Sequence, residues 1–136
     1  MDFKQLLKND FIILDGAMGT MLQAAGLEAG GIPELLNITD PELIENIHKK
    51  YIEAGSDIVY ANTFGANRYK LKNHSVDEII GAGIAIAKRA CNGKALAALD
   101  IGPIGQLLEP TGTLKFEEAY DCLLYTSPSP RDGATS

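Results

Sequence analysis

Phe11-Ile12-Ile13-Leu14-Asp15-Gly16-Ala17-Met18-Gly19-Thr20 is a short apolar run that stops at an acid and turns on glycine. The pattern recurs twice. Ile58-Val59-Tyr60-Ala61 runs into Asn62-Thr63-Phe64-Gly65-Ala66-Asn67, and Ala95-Leu96-Ala97-Ala98-Leu99 runs into Asp100-Ile101-Gly102-Pro103-Ile104-Gly105. Buried parallel strands read as short continuous apolar runs, and in α/β barrels the loops that follow them carry the chemistry. Three polar strand ends pointing the same way are therefore the beginning of a site.

Between these runs the sequence spells helices. A short helix closes at Leu6 to Asn9 before the first strand, Phe11 to Leu14. The segment from Thr20 to Gly31 holds only a short helix, because Gly26, Gly30 and Gly31 break it. Asp40 is placed to N-cap the next helix, with Pro41 at its first position and Glu42 and Glu45 near the positive end of its dipole. Leu43, Ile44, Ile47, Tyr51 and Ile52 share one face of it, and Gly55 supplies the left-handed stop. His48, beside Lys49 and Lys50, reads as a solvated residue.

Ser75 and Glu78 have capping-box spacing for a third helix, whose inward stripe is Ile80, Ile84, Ala87 and Cys91 and whose end is Asn92-Gly93. Gly81 and Gly83 weaken this helix by roughly 1 kcal/mol each relative to alanine, so close approach to the sheet is the expected compensation. A further helix begins near Phe116. Strand–helix alternation with crossovers of this length implies a parallel sheet. Periodicity alone leaves a doubly wound sheet and a barrel both open.

Composition narrows the function. The chain has 136 residues, of which 46% are hydrophobic and 22% charged, the balance of a globular domain with room for a core. Its formal net charge of −6 argues against nucleic acid or an anionic membrane as partner, since both need a basic footprint. No apolar stretch reaches membrane-spanning length, and the polar start Met1-Asp2-Phe3-Lys4-Gln5 does not read as a signal peptide. Two cysteines, Cys91 and Cys122, make no disulfide framework. A reducing cytoplasm is the expected location.

The turn Asp15-Gly16-Ala17-Met18-Gly19 is the first candidate site. Backbone N–H groups converging just after a strand suit a carboxylate or phosphate, and Asp15 can accept from an ammonium group, so the two together match the ends of an amino acid. A tight turn capped by Asp15 explains the same residues. The segment is neither a dinucleotide fingerprint nor a phosphate-binding Walker loop. Asn62 and Thr63 offer neutral hydrogen bonds beside the flat wall of Phe64, and Asp100 opens the third loop; each also reads as an ordinary loop residue. Cys91 falls on an apolar helix stripe and reads as core, and neither a three-residue metal set nor a Ser/His/Asp set emerges.

Leu14 to Thr20, Asn37-Ile38-Thr39-Asp40-Pro41, Tyr51 to Asp57, Ala61 to Asn67 and Asp100-Ile101-Gly102-Pro103 occur in that order. In order and spacing they resemble the opening of the homocysteine S-methyltransferase domain. The form found at the N-terminus of cobalamin-dependent methionine synthases fits best, with Glu109-Pro110-Thr111-Gly112 and Phe116 to Tyr120 also matching. The resemblance implies a (β/α)8 TIM barrel that binds homocysteine at its C-terminal face. It implies zinc on three cysteine thiolates from late strands, and a methyl group from methylcobalamin or methyltetrahydrofolate in another domain. By position, Asp15, Gly16, Ala17, Met18 and Gly19 would hold the amino-acid end of homocysteine, with Asn62, Thr63 and Asp100 at the pocket rim. Neither Cys91 nor Cys122 matches a zinc ligand, so the chain carries no assigned metal or catalytic residue and is expected to be inactive alone.

A complete barrel needs about 250 residues, so residues 1–121 are expected to form about three βα units of one. From Cys122 onward the text changes: Pro128 and Pro130 forbid a continued helix. Cys122 to Asp132 can moreover be encoded without mismatch by a transposon-end adapter of sequencing libraries. Residues 122–136 are accordingly read as an unrelated, unstructured tail. Two rival functions stay open: a betaine- or other donor-dependent homocysteine methyltransferase, and a small α/β module that binds an anionic metabolite at the Asp15 turn.

Overall fold

The structure is a computed structural model in which residues 1–127 are described. Its centre is a parallel pair, β1 (Ile58–Tyr60) and β2 (Leu96–Ala98), in the register Ile58↔Leu96, Val59↔Ala97, Tyr60↔Ala98. On the other side of β1 lies Leu14, bridged in parallel to Ile58. The three apolar runs are thus neighbours in chain order, all pointing the same way.

The expected first strand, Phe11 to Leu14, is reduced to that single bridge, and two carboxylates explain why. Asp57 Oδ2 takes the Ile13 N–H at 2.9 Å and Asp15 Oδ2 takes the Tyr60 N–H at 3.1 Å. Side chains therefore replace backbone acceptors at both ends, and the remaining backbone bonds run to Ile13 O from Asp57 N (2.7 Å) and Ile58 N (3.3 Å) and from Asp15 N to Ile58 O (3.0 Å).

Helices cover the sheet. After α1 (Phe3–Leu6) and α2 (Met18–Ala24) comes a 3-10 turn (Pro33–Leu35) that leads into α3 (Leu36–Thr39). These last two elements were not foreseen. Next is α4 (Pro41–Glu53), capped as expected by Asp40, whose carboxylate accepts from the Leu43 N–H. α5 (Val76–Cys91) is capped by Ser75 through the Glu78 N–H and ended by left-handed Asn92, followed by Gly93 at φ 74°. Leu22, Ile44, Ile47 and Ile86 form the core between α2, α4 and α5, while Val59, Cys91 and Ala95 pack where α5 meets the sheet. The inward face of α5 is broader than a single stripe: Ile79, Ile86 and Ala90 are buried beside Ile80, Ala87 and Cys91, and Ile84 is half-buried.

The structure departs from the sequence-based expectations at three places. His48 is fully buried, not solvated. It follows Ile44 by one helical turn on the face that α4 presents to the core, and only its neighbours Lys49 and Lys50 reach solvent. Of the two glycines in α5, only Gly83 makes a close approach. A Cβ there would lie 2.8 Å from Asn37 Nδ2 and 3.0 Å from Thr63 Cγ2, whereas Gly81 faces open space. Finally, α6 runs from Phe116 to Thr126, past the expected end of ordered structure at Asp121. Cys122 is buried with Ala119 against Ile104 and Leu114, and Thr126, seven residues after Ala119 on the same face, is buried as well. The remainder of the expected tail, 128–136, lies outside the described residues.

Candidate functional site

The loops after Leu14, β1 and β2 enclose a cleft of about 140 Å³. One wall is the turn Asp15, Gly16, Ala17 and Met18; the other is Asn62, Thr63 and Asp100, with Tyr60, Ala61 and Phe64 completing the lining. Seven of the eight expected site residues therefore meet in one place. Gly19 is the exception: it lies inside α2 and does not line the cleft.

The turn is shaped by a neighbour that the sequence reading placed only in the core. Tyr51, on α4, donates its hydroxyl to Ala17 O at 2.7 Å. Its ring passes so close that a Cβ at Gly16 would stand 3.0 Å from Cε1 and Oη. Glycine is needed here for space and not for handedness, since Gly16 is not among the residues with positive φ.

Asp15 is the group with unused capacity. Its Oδ2 is held by the Tyr60 N–H, while Oδ1 is buried and has no hydrogen-bond partner among the described residues. A carboxylate oxygen left in this state calls for a donor. Burial pushes the Asp15 carboxyl above the ordinary aspartate range against the opposing pull of backbone N–H donors, and the charge of Asp100 adds to the rise. Asp100 is raised by burial as well, with Glu34 contributing. Two carboxyls that each disfavour their charged form beside one cleft suit a cationic group, which would relieve both.

Asn62 and Thr63 are more buried than rim residues need be, at 5% and 3% exposure. Their polar atoms are engaged within the protein. Asn62 Nδ2 donates to Pro33 O (2.9 Å) and to Asn37 Oδ1 (3.0 Å), and Asn37 Nδ2 donates back to Asn62 O (2.8 Å) and to Ile79 O (3.1 Å). Glu34, itself buried, accepts the Gly65 N–H at 2.6 Å. Asn37 and Glu34 are thus the supports of the second loop, and the sequence reading did not assign them to the site. The signals were Pro33 at the start of a helical turn and the place of Asn37 in the stretch 37–41 that carries the family resemblance.

The described residues do not fit a zinc site of three thiolates. Among them no three His, Cys, Asp or Glu side chains converge on a point that could hold a metal ion. Cys91 and Cys122 are buried free thiols on different helices, in separate core clusters. Burial, with the charge of Asp15, pushes the Cys91 thiol up to about 11, away from the thiolate a metal requires. No described helix is long and apolar enough to cross a membrane.

Comparison with known proteins shows the family to which the chain belongs. The profile of the homocysteine S-methyltransferase family matches residues 12–125. A methionine synthase of Mycobacterium tuberculosis is 41% identical over 103 residues, and one of Mycobacterium leprae is 39% identical. Each alignment covers 67% of this chain and 8% of the relative. Among solved structures, the metallated form of the homocysteine methyltransferase MmuM from Escherichia coli superposes with a TM-score of 0.67 at 25% identity. That match covers 76% of this chain and 41% of MmuM; the apo form gives a TM-score of 0.61. The chain spans about one-twelfth of the length of the curated relatives it matches.

Proposed function

Because this chain belongs to the homocysteine S-methyltransferase family, we propose that its cleft is the homocysteine-binding part of a (β/α)8 barrel, built from the first three βα units. The observation that carries this reading is the buried, unpartnered Asp15 Oδ1 beside a cleft of amino-acid size. The α-ammonium of homocysteine would donate to Asp15, and Asp100 across the cleft would add charge complementarity. The substrate carboxylate would take backbone N–H groups of the Gly16 to Met18 turn, where the first turn of α2 leaves amides without helical partners. Phe64, half out in solvent, would close the apolar side against the two-carbon chain that carries the thiol.

Recognition is the part of methyl transfer that these residues supply. The reaction also needs a thiolate, and a free thiol ionises only near pH 8.5. The zinc that would lower this value finds no ligand set among the described residues, so no step is routed through it. In this reading zinc and the methyl carrier, cobalamin with methyltetrahydrofolate, belong to other parts of a longer protein, an assignment that rests on the family resemblance of the sequence. The buried free thiols suit a reducing cytoplasm.

Calorimetric titration of the 136-residue chain with homocysteine tests the reading. Saturable one-to-one binding that is lost with N-acetylhomocysteine, whose ammonium is gone, is the expected result. Equal binding of both compounds, or of neither, contradicts it.

A further inference from the structure

We propose that Thr63 is a positioning residue of the cleft: its hydroxyl clamps the Asp100 backbone and thereby sets where the Asp100 carboxylate stands opposite Asp15. Thr63 Oγ1 donates to Asp100 O at 2.8 Å and accepts the Asp100 N–H at 3.1 Å, across 37 residues of chain. A hydroxyl has one proton to give, and here it is directed at a backbone carbonyl, so Thr63 is not free to donate to a ligand.

The place of this clamp in the sheet explains its need. The ladder between β1 and β2 ends with the rung from Ala61 N to Ala98 O at 2.8 Å. The next backbone bond between the two segments is Gly102 N to Phe64 O at 3.1 Å, within the loops. Between those rungs the loops have no backbone pairing, and Asp100 lies in the gap. The Thr63 side chain supplies the missing rung with both a donor and an acceptor. Thr63 is itself held: its methyl faces Gly83, where a Cβ would come within 3.0 Å, and the preceding Asn62 is locked to Asn37. Both the donor and acceptor capacities of one small side chain thus fix a residue that lines the cleft.

This inference rests on the reading of the cleft as the homocysteine site, and its test separates the two. Thr63→Val keeps the shape and removes the hydroxyl; Thr63→Ser keeps the hydroxyl. In the full 136-residue chain, carboxyl carbons are followed by NMR through a pH titration. Homocysteine and 4-mercaptobutyrate, the same thiol without its amino group, are titrated in parallel. In Thr63→Val the Asp100 carboxyl should titrate closer to an ordinary aspartate. Homocysteine affinity should fall about tenfold, the scale of one hydrogen bond, while 4-mercaptobutyrate changes by less than about twofold; Thr63→Ser should restore both signals. A lowered melting temperature with an unmoved Asp100 titration, or equal loss for the two thiols, overturns the positioning role. If the wild-type chain fails to prefer homocysteine, the cleft reading falls, and the Asp100 titration still decides the role of Thr63.

Discussion

Acidification should unfold this protein through His48. The imidazole is fully buried, and neither ring nitrogen has a hydrogen-bond partner among the described residues. Burial lowers its pKa from 6.5 to about 4, with only the charge of Glu45 opposing. The folded state therefore binds fewer protons than the unfolded state between those two values, so stability is complete above pH 6.5 and declines as the pH falls. At about 1.4 kcal/mol per pH unit the loss is about 2 kcal/mol at pH 5 and about 3 kcal/mol near pH 4. Asp15 and Asp100 act with the opposite sign: their carboxyls are raised in the folded state, so they favour folding as the pH falls. Comparison with His48→Leu cancels them. The variant is similar in volume, cannot titrate and leaves no unsatisfied nitrogen, so it should match or exceed the wild type at pH 7 by up to about 1 kcal/mol. Urea unfolding of both proteins from pH 7.5 to 4.5 should show their stabilities diverging steadily in favour of the variant. Parallel stability curves, or a His48 resonance titrating near 6.5, would refute the argument.

Other outcomes follow from close contacts in the fold. Gly83→Ala should destabilise by about 1–3 kcal/mol, because its Cβ meets buried Asn37 and Thr63. Gly81→Ala, with nothing within 4 Å, should stabilise by about 0.5–1 kcal/mol through helix propensity; thermal melts of the pair must move in opposite directions. Gly16→Ala should push the Tyr51 ring off Ala17 O and cost about 1–2 kcal/mol in urea unfolding. Homocysteine affinity should begin to fall at a pH above the ordinary aspartate value of 3.8 as raised Asp15 takes up its proton, which calorimetry across pH 4–8 would show. Affinity that is flat down to pH 4 would remove Asp15 from the contact.

Much of this was legible because it is written locally. Asp40-Pro41 and Ser75 to Glu78 announce α4 and α5 through caps that involve residues three apart, and Gly55 and Asn92-Gly93 mark their ends by backbone handedness. The cleft was legible because parallel strands put the ends of successive apolar runs side by side, which brings Asp15, Asn62 and Asp100 together. What stayed hidden is set by distant partners. The 3-10 turn and α3 are too short to show a period, and the roles of Glu34 and Asn37 exist only through Gly65, Asn62 and Ile79, 25 to 42 residues away. The same holds for the glycines of α5. Propensity treats Gly81 and Gly83 alike, and only the position of Asn37 and Thr63 distinguishes them. His48 misled because its charged neighbours in sequence are not its neighbours in space, and Cys122 to Thr126 misled because two prolines downstream were allowed to end a helix early.

The central claim is that Asp15 receives the ammonium of homocysteine, and Asp15→Asn tests it most directly by keeping the shape and removing the charge. A charge-assisted hydrogen bond contributes about 1.5–3 kcal/mol, so calorimetric titration should show homocysteine binding weakened roughly 10- to 150-fold. Binding of 4-mercaptobutyrate, which lacks the amino group, should be nearly unchanged. Homocysteine affinity that survives Asp15→Asn intact, while the melting temperature falls, would show Asp15 to be a turn residue and contradict the account.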